Sequence, residues 1–257
     1  WGYPFRKISS ELLTADLVFG NLESVISDQG RDLGNLYSFR ADERALEGLS
    51  AANISIVSVA NNHVWDYGKA AYLDTLHNLN KHKISFTGGG TTFEQAHWPT
   101  LKQVGDTSIA FLAYTNLIPR NLTTVDSRPS IAYIEKEQLR KDITRAKEFG
   151  DVVVVSFHWG EEYKTFHNRY QESMAHLSVD FGADLVVGHH PHVVQDVEKY
   201  KGGFIAYSLG NFIFDQNFND VTSTGLMLRV NIRDKKIYDI KKIPIAFTDT
   251  FQPYVID

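Results

Sequence analysis

Residues 151–192, DVVVVSFHWGEEYKTFHNRYQESMAHLSVDFGADLVVGHHPH, contain two apolar, β-branched runs with a helical pattern between them. The runs at 151–157 and 184–188 are apolar almost throughout, which is typical of strands covered on both faces. Apolar residues recur at helical spacing over 170–181, and Gly182 follows as a C-terminal cap. This stretch therefore predicts a β-α-β unit of an α/β fold.

The same alternation extends through most of the chain. Strands are predicted at residues 16–20, 54–60, 108–114, 151–157, 184–188, 204–209 and 225–232, and helices at about 42–51, 69–81, 139–149 and 170–181. From Gly225 onward no helical pattern occurs, so the tail is expected to form antiparallel strands that close one sheet. No linker rich in Pro, Gly or Ser interrupts the pattern, and we expect residues 1–257 to form a single domain.

The composition excludes several classes of function. With 257 residues, 43% hydrophobic and 22% charged, the chain has enough apolar mass for a buried core. The formal net charge of -5 leaves no basic field for non-specific nucleic-acid binding. The sequence has no cysteine, which excludes disulfides, thiolate metal ligands and cysteine nucleophiles. The chain is expected neither to span a membrane nor to carry its own export signal.

Polar clusters follow five of the predicted strands. In open α/β sheets, ligands bind beyond the carboxyl ends of the strands, so we expect these clusters to meet. They contain five of the ten histidines. The clusters are Gly20-Asn21-Leu22-Glu23-Ser24, Asn61-Asn62-His63 with Asp66, His158-Trp159-Gly160-Glu161-Glu162-Tyr163, Gly188-His189-His190-Pro191-His192 and Gly210-Asn211-Phe212.

Each cluster alone also fits a purely structural role. Asn61-Asn62-His63 is typical of a turn with a hydrogen-bonded surface histidine, and Asn21 can cap a helix. Glu161 and Glu162 can form a solvated face. His-Pro-His at 190–192 is harder to explain in this way, because the proline stiffens the backbone between two imidazoles.

Together, the clusters favour a centre for one or two divalent ions such as Mn, Fe or Zn, because they supply oxygen and imidazole donors and no thiolate. A pair of ions can turn a bridging water into a hydroxide nucleophile and stabilise charge in the transition state of phosphoester hydrolysis. His63 with Asp66 is a candidate acid–base pair beside such a centre.

In their order along the chain, six motifs resemble those of the bacterial capsule-synthesis protein CapA family. They are Asn21-Leu22-Glu23-Ser24, Asn61-Asn62-His63 with Asp66 and Gly68, Gly88-x-Gly90, His158-Trp159-Gly160-x-Glu162-Tyr163, Gly188 to His192 through Gln195, and Ser208-Leu209-Gly210-Asn211-Phe212. That family is associated with poly-γ-glutamate production and belongs to the calcineurin-like metallophosphoesterase superfamily. The resemblance implies a layered β-sandwich flanked by helices.

The resemblance also implies roles for individual residues. The implied metal ligands are Glu23, Asn62, His158, His190 and His192; the implied catalytic residues are His63 and Asp66; and the candidate substrate-binding residues are Asn21, Glu162, Tyr163 and Asn211. Asn21 stands where the superfamily has an aspartate, so either Asn21 or Glu23 can coordinate. His189 has no counterpart and is expected to be structural.

The chain departs from the superfamily pattern near its beginning. The superfamily opens with a strand that ends in an aspartate ligand, written Asp-x-His or, in this family, Gly-Asp. Neither motif occurs ahead of Glu23. We therefore expect the chain to be truncated relative to the family, without the first strand and its ligand, and we expect a two-metal site to lack one carboxylate.

Two functions from different classes follow from the resemblance. The first is metal-dependent hydrolysis of a phosphoester or of a bond in a cell-envelope polymer. The alternative is a non-catalytic, polymer-binding component of a capsule synthesis and export complex. Poly-γ-glutamate is a polyanion that a chain of charge -5 repels, so binding is expected to need a divalent ion. The implied partners are membrane-associated capsule synthesis proteins at the extracellular face of the membrane, with the anchor outside this chain.

Overall fold

The computed structural model describes residues 1–117, 119, 128–216 and 218–256. The helices are α1 (Ser9–Leu12), α2 (Ala45–Ala51), α3 (Gly68–Lys81), α4 (Phe93–His97), α5 (Lys136–Phe149) and α6 (Arg169–Phe181), with a 3-10 turn at Tyr3–Phe5. The strands are β1 (Val18–Asn21), β2 (Val25–Ile26), β3 (Arg40–Ala41), β4 (Ile54–Ser58), β5 (Ser85–Thr87), β6 (Gly89–Gly90), β7 (Thr100–Val104), β8 (Thr107–Thr115), β9 (Ser130–Ile131), β10 (Val152–His158), β11 (Leu185–His189), β12 (Val197–Tyr200), β13 (Gly203–Ala206), β14 (Thr224–Arg233), β15 (Lys236–Phe247) and β16 (Pro253–Val255).

Three sheets carry most of the strands. The largest has six strands in the order β12-β13-β11-β10-β8-β7, and β8, β10, β11 and β13 within it are parallel. A parallel sheet has the order β1-β4-β5, and an antiparallel sheet has the order β14-β15-β16. The tail is thus antiparallel as predicted, but it forms a sheet of its own instead of closing one of the others.

Both faces of the six-stranded sheet are covered by apolar side chains. Val153, Val155 and Phe157 of β10 pack in a cluster with residues of α5 and α6. Val152 and Val154 face the other way, in a cluster with residues of β8, β11, β4 and β14. A further cluster packs α2 and α3 against the β1-β4-β5 sheet. The layered β-sandwich flanked by helices, implied by the resemblance, is confirmed.

Local sequence explains where the helix between β10 and β11 begins and ends. Asn168 and Gln171 form a reciprocal capping box at the start of α6. Gly182 ends the helix with a left-handed φ of 117°, a conformation that glycine adopts without steric cost. The predicted cap at Gly182 is therefore confirmed. No helix in the described part of the chain is both long and apolar enough to cross a membrane.

Candidate metal centre

The turn after β11 places two histidines in an unusual backbone conformation. His190 has a φ of 96° and His192 a φ of 59°, and side-chain-bearing residues seldom occupy this left-handed region. The carbonyl oxygen of Pro191 between them accepts a hydrogen bond from the Tyr163 amide at 2.8 Å. Such strained positions persist where the surrounding structure holds them, and they cluster at functional sites.

β11 packs closely against the segment that follows β13, and this contact holds the turn in place. A Cβ at Gly188 would lie 1.9 Å from the Tyr207 carbonyl oxygen, so no larger residue fits without a backbone shift. The parallel register then sets His158 at the end of β10 beside His189 at the end of β11. The carboxyl ends of these strands thus bring their histidines to one edge of the sheet, as expected.

Four of the five predicted metal ligands converge at this edge. Glu23 Oε1 lies 3.7 Å from His158 Nε2 and 3.8 Å from His192 Nε2. Glu23, His190 and His192 each offer a ligand atom, and these three atoms lie within 4.8 Å of one another. The rings of His158 and His190 are 5.0 Å apart between centroids.

The fifth predicted ligand, Asn62, lies against His158. The Nε2 of His158 donates a hydrogen bond to Asn62 Oδ1 at 2.7 Å. Ligand atoms that share one ion at about 2.0–2.2 Å are themselves separated by about 3 Å. The two atoms can therefore contact the same ion once the Nε2 proton leaves.

Several polar atoms at the centre are buried without a partner. Among the described residues, Glu23 Oε1, His158 Nδ1 and His190 Nδ1 are buried and accept or donate no hydrogen bond. Each such atom costs about 1–3 kcal/mol when it is left unpaired. Because carboxylate oxygen and imidazole nitrogen are favoured ligands of Zn²⁺ and similar ions, this donor set fits a divalent metal.

Burial favours the neutral form of Glu23 and of the three histidines among the predicted ligands, and it shifts their pKa values accordingly. Desolvation, with a smaller repulsion from Glu162, raises the pKa of Glu23 to about 8. Desolvation lowers the pKa of His190 to about 3 and holds the pKa of His158 well below its usual value. The pKa of His192 is also lowered, mainly by burial. At neutral pH the imidazoles are therefore uncharged and retain the lone pairs that a metal needs.

Two of the predicted substrate-binding residues contact predicted ligands in this structure. Asn211 Oδ1 accepts a hydrogen bond from His192 Nδ1 at 2.8 Å, which leaves His192 Nε2 without a proton. Asn21 donates from Nδ2 to Glu23 Oε2 at 3.1 Å. Such outer hydrogen bonds orient metal ligands and fix histidine tautomers. Binding of substrate by these two residues stays a prediction.

His63 and Asp66 form the pair that the sequence predicted. Asp66 Oδ2 accepts hydrogen bonds from His63 Nδ1 and from the Phe39 amide, both at 2.8 Å. Its other oxygen accepts from Asn35 Nδ2 at 2.9 Å. Asp66 is fully buried, so these contacts hold the imidazole with Nδ1 protonated and leave Nε2 for other partners.

The remaining predicted residues lie around the centre. Glu162 is exposed, and its charge raises the pKa of Glu23. Tyr163 is 40% exposed, its ring centroid is 6.2 Å from that of His192, and its hydroxyl accepts a hydrogen bond from Gln216. His189 is partly buried, and desolvation lowers its pKa to about 4.

The sequence did not identify the residues that join the separate loops. Asn61 donates from Nδ2 to the Leu22 carbonyl oxygen at 2.8 Å and accepts from the His63 amide at 3.1 Å. It thereby ties the loop after β1 to the loop after β4. Asn61 belongs to the Asn61-Asn62-His63 motif, although no role was predicted for it. Asn35 and Phe39, which bind Asp66, lie in an irregular segment without a sequence motif.

Comparisons with known proteins agree with the resemblance to the capsule-synthesis family. The family model described as "Bacterial capsule synthesis protein PGA_cap" matches residues 1–216. The chain is 32% identical over 252 residues to "Capsule biosynthesis protein CapA" of Bacillus anthracis, covering 95% of this chain and 61% of that protein. It is 31% identical over 226 residues to "PGA biosynthesis protein CapA" of Bacillus subtilis, covering 87% and 60%. The chain thus spans about three fifths of the length of these curated relatives.

A solved structure supports the fold. The crystal structure of a hypothetical protein from Thermus thermophilus aligns with a TM-score of 0.60 over 92% of this chain and 90% of that one, at 17% identity. At this identity the likeness concerns the fold alone. The family model, in contrast, covers 216 of the 257 residues, including every predicted ligand, and the chain therefore belongs to the bacterial capsule synthesis protein PGA_cap family.

Proposed function

We propose that this chain acts in the biosynthesis of a capsule or of poly-γ-glutamate, as a metal-dependent hydrolase of a phosphoester or of a bond in a cell-envelope polymer. One observation carries the proposal. Glu23, His158, His190 and His192 converge at one place, where Glu23 Oε1 is buried without a hydrogen-bond partner. His63 lies close enough to lower the pKa of His158 and His190.

The residues present can hold a divalent ion through Glu23, His158, His190 and His192, with Asn62 as a further ligand. When bound, such an ion supplies Lewis-acid activation of the substrate and lowers the pKa of a coordinated water. Asn211 and Asn21 orient two of the ligand side chains. Mn, Fe and Zn are the ions that this donor set suits.

His63 is oriented so that it can accept or donate a proton at Nε2. Asp66 and the groups that bind Asp66 hold the His63 ring with Nδ1 protonated, and Nε2 is the nitrogen that can exchange a proton with substrate. A protonated His63 can donate from Nε2 to a leaving oxygen as general acid. Asp66 also holds the ring in the orientation for this transfer, in the way that a buried carboxylate does in other acid–base pairs.

The charge distribution supports an anionic substrate only when a cation is present. The chain has a net charge of -5, and Glu162 lies near Glu23 at the centre. We infer that an anionic polymer or phosphoester binds through the metal, with exposed Glu162 and Tyr163 at the rim of the site. Membrane-associated capsule synthesis proteins at the extracellular face of the membrane are the partners in this proposal.

The test is turnover of a generic phosphomonoester or phosphodiester with added Mn²⁺ or Zn²⁺. His63→Ala is expected to lower kcat by about 10²–10⁴-fold while metal binding persists, because only proton transfer is lost. His190→Ala is expected to lose metal and activity together. His77→Ala, at an exposed position on α3, serves as the control. Turnover that survives both site substitutions contradicts the proposal.

A non-catalytic role in polymer binding remains the second candidate. Its support is that Glu23 is the only carboxylate in the described cluster of ligand atoms, which limits the charge available to hold two ions. In that case the protein binds an anionic polymer in a chelator-sensitive way and turns over no ester. Polymer binding that continues unchanged in excess chelator contradicts both candidates.

A further inference from the structure

Two phenylalanine rings stand against imidazoles of the candidate metal centre. The ring of Phe39 lies 4.3 Å from that of His63 between centroids, at an angle of 52°. The ring of Phe214 lies 4.7 Å from that of His192, at an angle of 47°. Phe39 and Phe214 also touch each other edge to face, with centroids 5.4 Å apart. The two phenylalanines therefore form one wall, which runs from the proposed general acid to a predicted metal ligand.

Two further rings extend this wall toward solvent. Tyr163 lies beside His192, and Phe218 packs edge to face on Tyr163 with centroids 5.2 Å apart. Tyr163 is 40% exposed and Phe218 is 62% exposed. The backbone of Tyr163 has a left-handed φ of 64°, and strained conformations of this kind cluster at functional sites. We call Phe39, Phe214, Tyr163 and Phe218 the aromatic wall; its outer part is an apolar surface that a ligand can cover.

The position of the aromatic wall relates it to one part of the substrate. A general acid protonates the leaving oxygen, so the group attached to that oxygen must lie next to His63. Phe39 packs directly on His63. Phe39 and Phe214 also line the same opening as Glu23 and His192. The aromatic wall is therefore the surface that the leaving group of an ester contacts.

Two carboxylates border the aromatic wall. Glu162 is exposed and lies near the Tyr163 hydroxyl, since it is, after burial, a cause of the raised pKa of Tyr163. Asp215 is exposed and follows one of the phenylalanines of the wall. The guanidinium of Arg40 is engaged elsewhere, 3.7 Å from the centre of the Tyr67 ring. Carboxylates accept hydrogen bonds from hydroxyl groups and repel anions, so this surface suits an uncharged, hydroxyl-bearing group.

We propose that the aromatic wall binds a sugar ring as the leaving group, so that the substrate of this site is a phosphate ester of a sugar. This inference rests on the proposed hydrolase function and names its substrate class. A sugar ring has C–H bonds on its faces, which pack on aromatic rings, and hydroxyl groups at its edge, which donate hydrogen bonds to carboxylates. Both features of the aromatic wall and its border are thereby used.

The reaction is the transfer of the phosphoryl group to water. The bond from phosphorus to the sugar oxygen breaks, a bond from phosphorus to the water oxygen forms, and the sugar oxygen leaves with a proton from His63 Nε2. The products are the free sugar and phosphate. A leaving group rich in carboxylates fits this surface poorly, because it would bring anions against phenyl rings and beside Glu162. An alkyl leaving group would offer no hydrogen-bond donor to the carboxylates.

The test compares four phosphate esters of primary alcohols, whose leaving groups have similar intrinsic reactivity. Glucose 6-phosphate carries a sugar ring, ethyl phosphate carries no ring, benzyl phosphate carries an aromatic ring, and O-phosphoserine carries charged groups. With Mn²⁺, kcat/KM for glucose 6-phosphate should exceed that for ethyl phosphate and O-phosphoserine by at least about tenfold, because contacts to the ring stabilise the transition state. Equal values overturn the proposal. A higher value for benzyl phosphate than for glucose 6-phosphate identifies an aromatic leaving group and also overturns it.

Substitutions test whether the aromatic wall causes this preference. In Phe214→Ala the ratio of kcat/KM for glucose 6-phosphate to that for ethyl phosphate should fall below about threefold, because the ring contact is lost. Phe214→Tyr keeps a ring and should retain the preference. Tyr163→Ala, at a more exposed position, should lower the same ratio and replaces Phe214→Ala if that variant does not fold. Phe149→Ala, a 47% exposed ring at the end of α5, is the control. A parental ratio in both alanine variants of the wall overturns the proposal.

Binding measurements distinguish failure of this proposal from failure of the proposed function. Isothermal titration calorimetry with Mn²⁺ gives Kd for glucose 6-phosphate and for ethyl phosphate, whether or not either is turned over. If neither ester were hydrolysed but glucose 6-phosphate bound at least about tenfold more tightly, and Phe214→Ala removed the difference, the hydrolase function would fail and the sugar-binding wall would stand. Equal Kd values with equal kcat/KM values would leave the hydrolase function intact and overturn the sugar assignment. If neither ester bound, the sugar assignment would likewise be overturned.

Discussion

At the scale of single residues, asparagine side chains determine what the histidines of the centre can do. Asn211 Oδ1 accepts a hydrogen bond from His192 Nδ1, and Asn62 Oδ1 accepts one from His158 Nε2. Neither asparagine carries charge, so both can be buried beside a metal at little cost as long as they are hydrogen-bonded. The motifs identified these positions from sequence, but the pairing of Asn211 with His192 depends on the fold and was not predicted.

Replacing Asn211 by alanine tests that orienting role. Without its acceptor, His192 no longer prefers the tautomer that leaves Nε2 free, so affinity for Zn²⁺ is expected to fall by about 10–100-fold. Isothermal titration calorimetry measures the change. Asn80→Ala, at an exposed position near the end of α3, should bind the ion as the parent chain does. Unchanged affinity in Asn211→Ala would show that the contact does not orient a ligand.

The pKa of Glu23 predicts an unusual pH dependence of metal binding. Because burial raises this pKa to about 8, an ion must displace a proton from Glu23 at any lower pH, whereas the imidazoles are already unprotonated. Affinity for Mn²⁺ should therefore rise about tenfold per pH unit from pH 6.5 to 8 and level off above 8. Glu23→Gln should remove this slope. A flat profile across that range contradicts the assignment of Glu23 as a ligand.

The raised pKa of Glu23 also makes the stability of the metal-free protein depend on pH. The folded chain binds the Glu23 proton more tightly than the unfolded chain, whose pKa is near the ordinary 4.5. Its contribution to the free energy of unfolding is therefore fully present below pH 4.5 and declines as the pH rises toward 8. Saturating metal should cancel this decline, because the cation stabilises the carboxylate.

At the scale of elements, the strands with continuous apolar runs were the most predictable. β10 and β11 begin within one residue of their predicted positions, because full burial requires an uninterrupted run of apolar residues. α2 begins at Ala45, three residues after its predicted start, since Asp42 to Arg44 form a turn. The distribution of strands among sheets was not predictable, because it depends on pairing between residues far apart in sequence.

A buried carboxylate ties three elements together away from the centre. Asp142 of α5 accepts hydrogen bonds from His97 of α4 at 2.8 Å, from the Tyr114 hydroxyl of β8 at 3.0 Å and from Gln138 at 2.7 Å. Asp142 is fully buried, and no sequence motif indicated this cluster. It is a structural counterpart of the His63–Asp66 pair without access to the site.

Substitution of Asp142 should therefore affect stability and not chemistry. Asp142→Ala leaves the buried hydrogen-bond donors around it without an acceptor. Loss of one partner of a buried pair typically costs about 3–5 kcal/mol in the free energy of unfolding. Urea unfolding measures this loss, with exposed Asp249→Ala as the control. Metal affinity measured below the unfolding transition should be unchanged. A loss under about 1 kcal/mol would show that the cluster contributes little.

At the scale of the whole molecule, the candidate metal centre lies where the layers of the sandwich meet. The loops after β1 and β4 come from one sheet, and the loops after β10 and β11 come from another. Strand order in parallel sheets explains why short motifs far apart in sequence predicted one site, since their carboxyl ends share an edge.

Metal analysis of the purified protein tests the central claim most directly. Protein purified without chelator and dialysed against trace Mn²⁺ or Zn²⁺ is analysed by inductively coupled plasma mass spectrometry, together with Glu23→Gln, His190→Ala and the control His77→Ala. We predict at least one divalent ion per chain in the parent protein and in the control, and a severalfold loss of bound metal in both site variants. A metal-free parent protein, or metal content unchanged by the two site substitutions, would contradict the account.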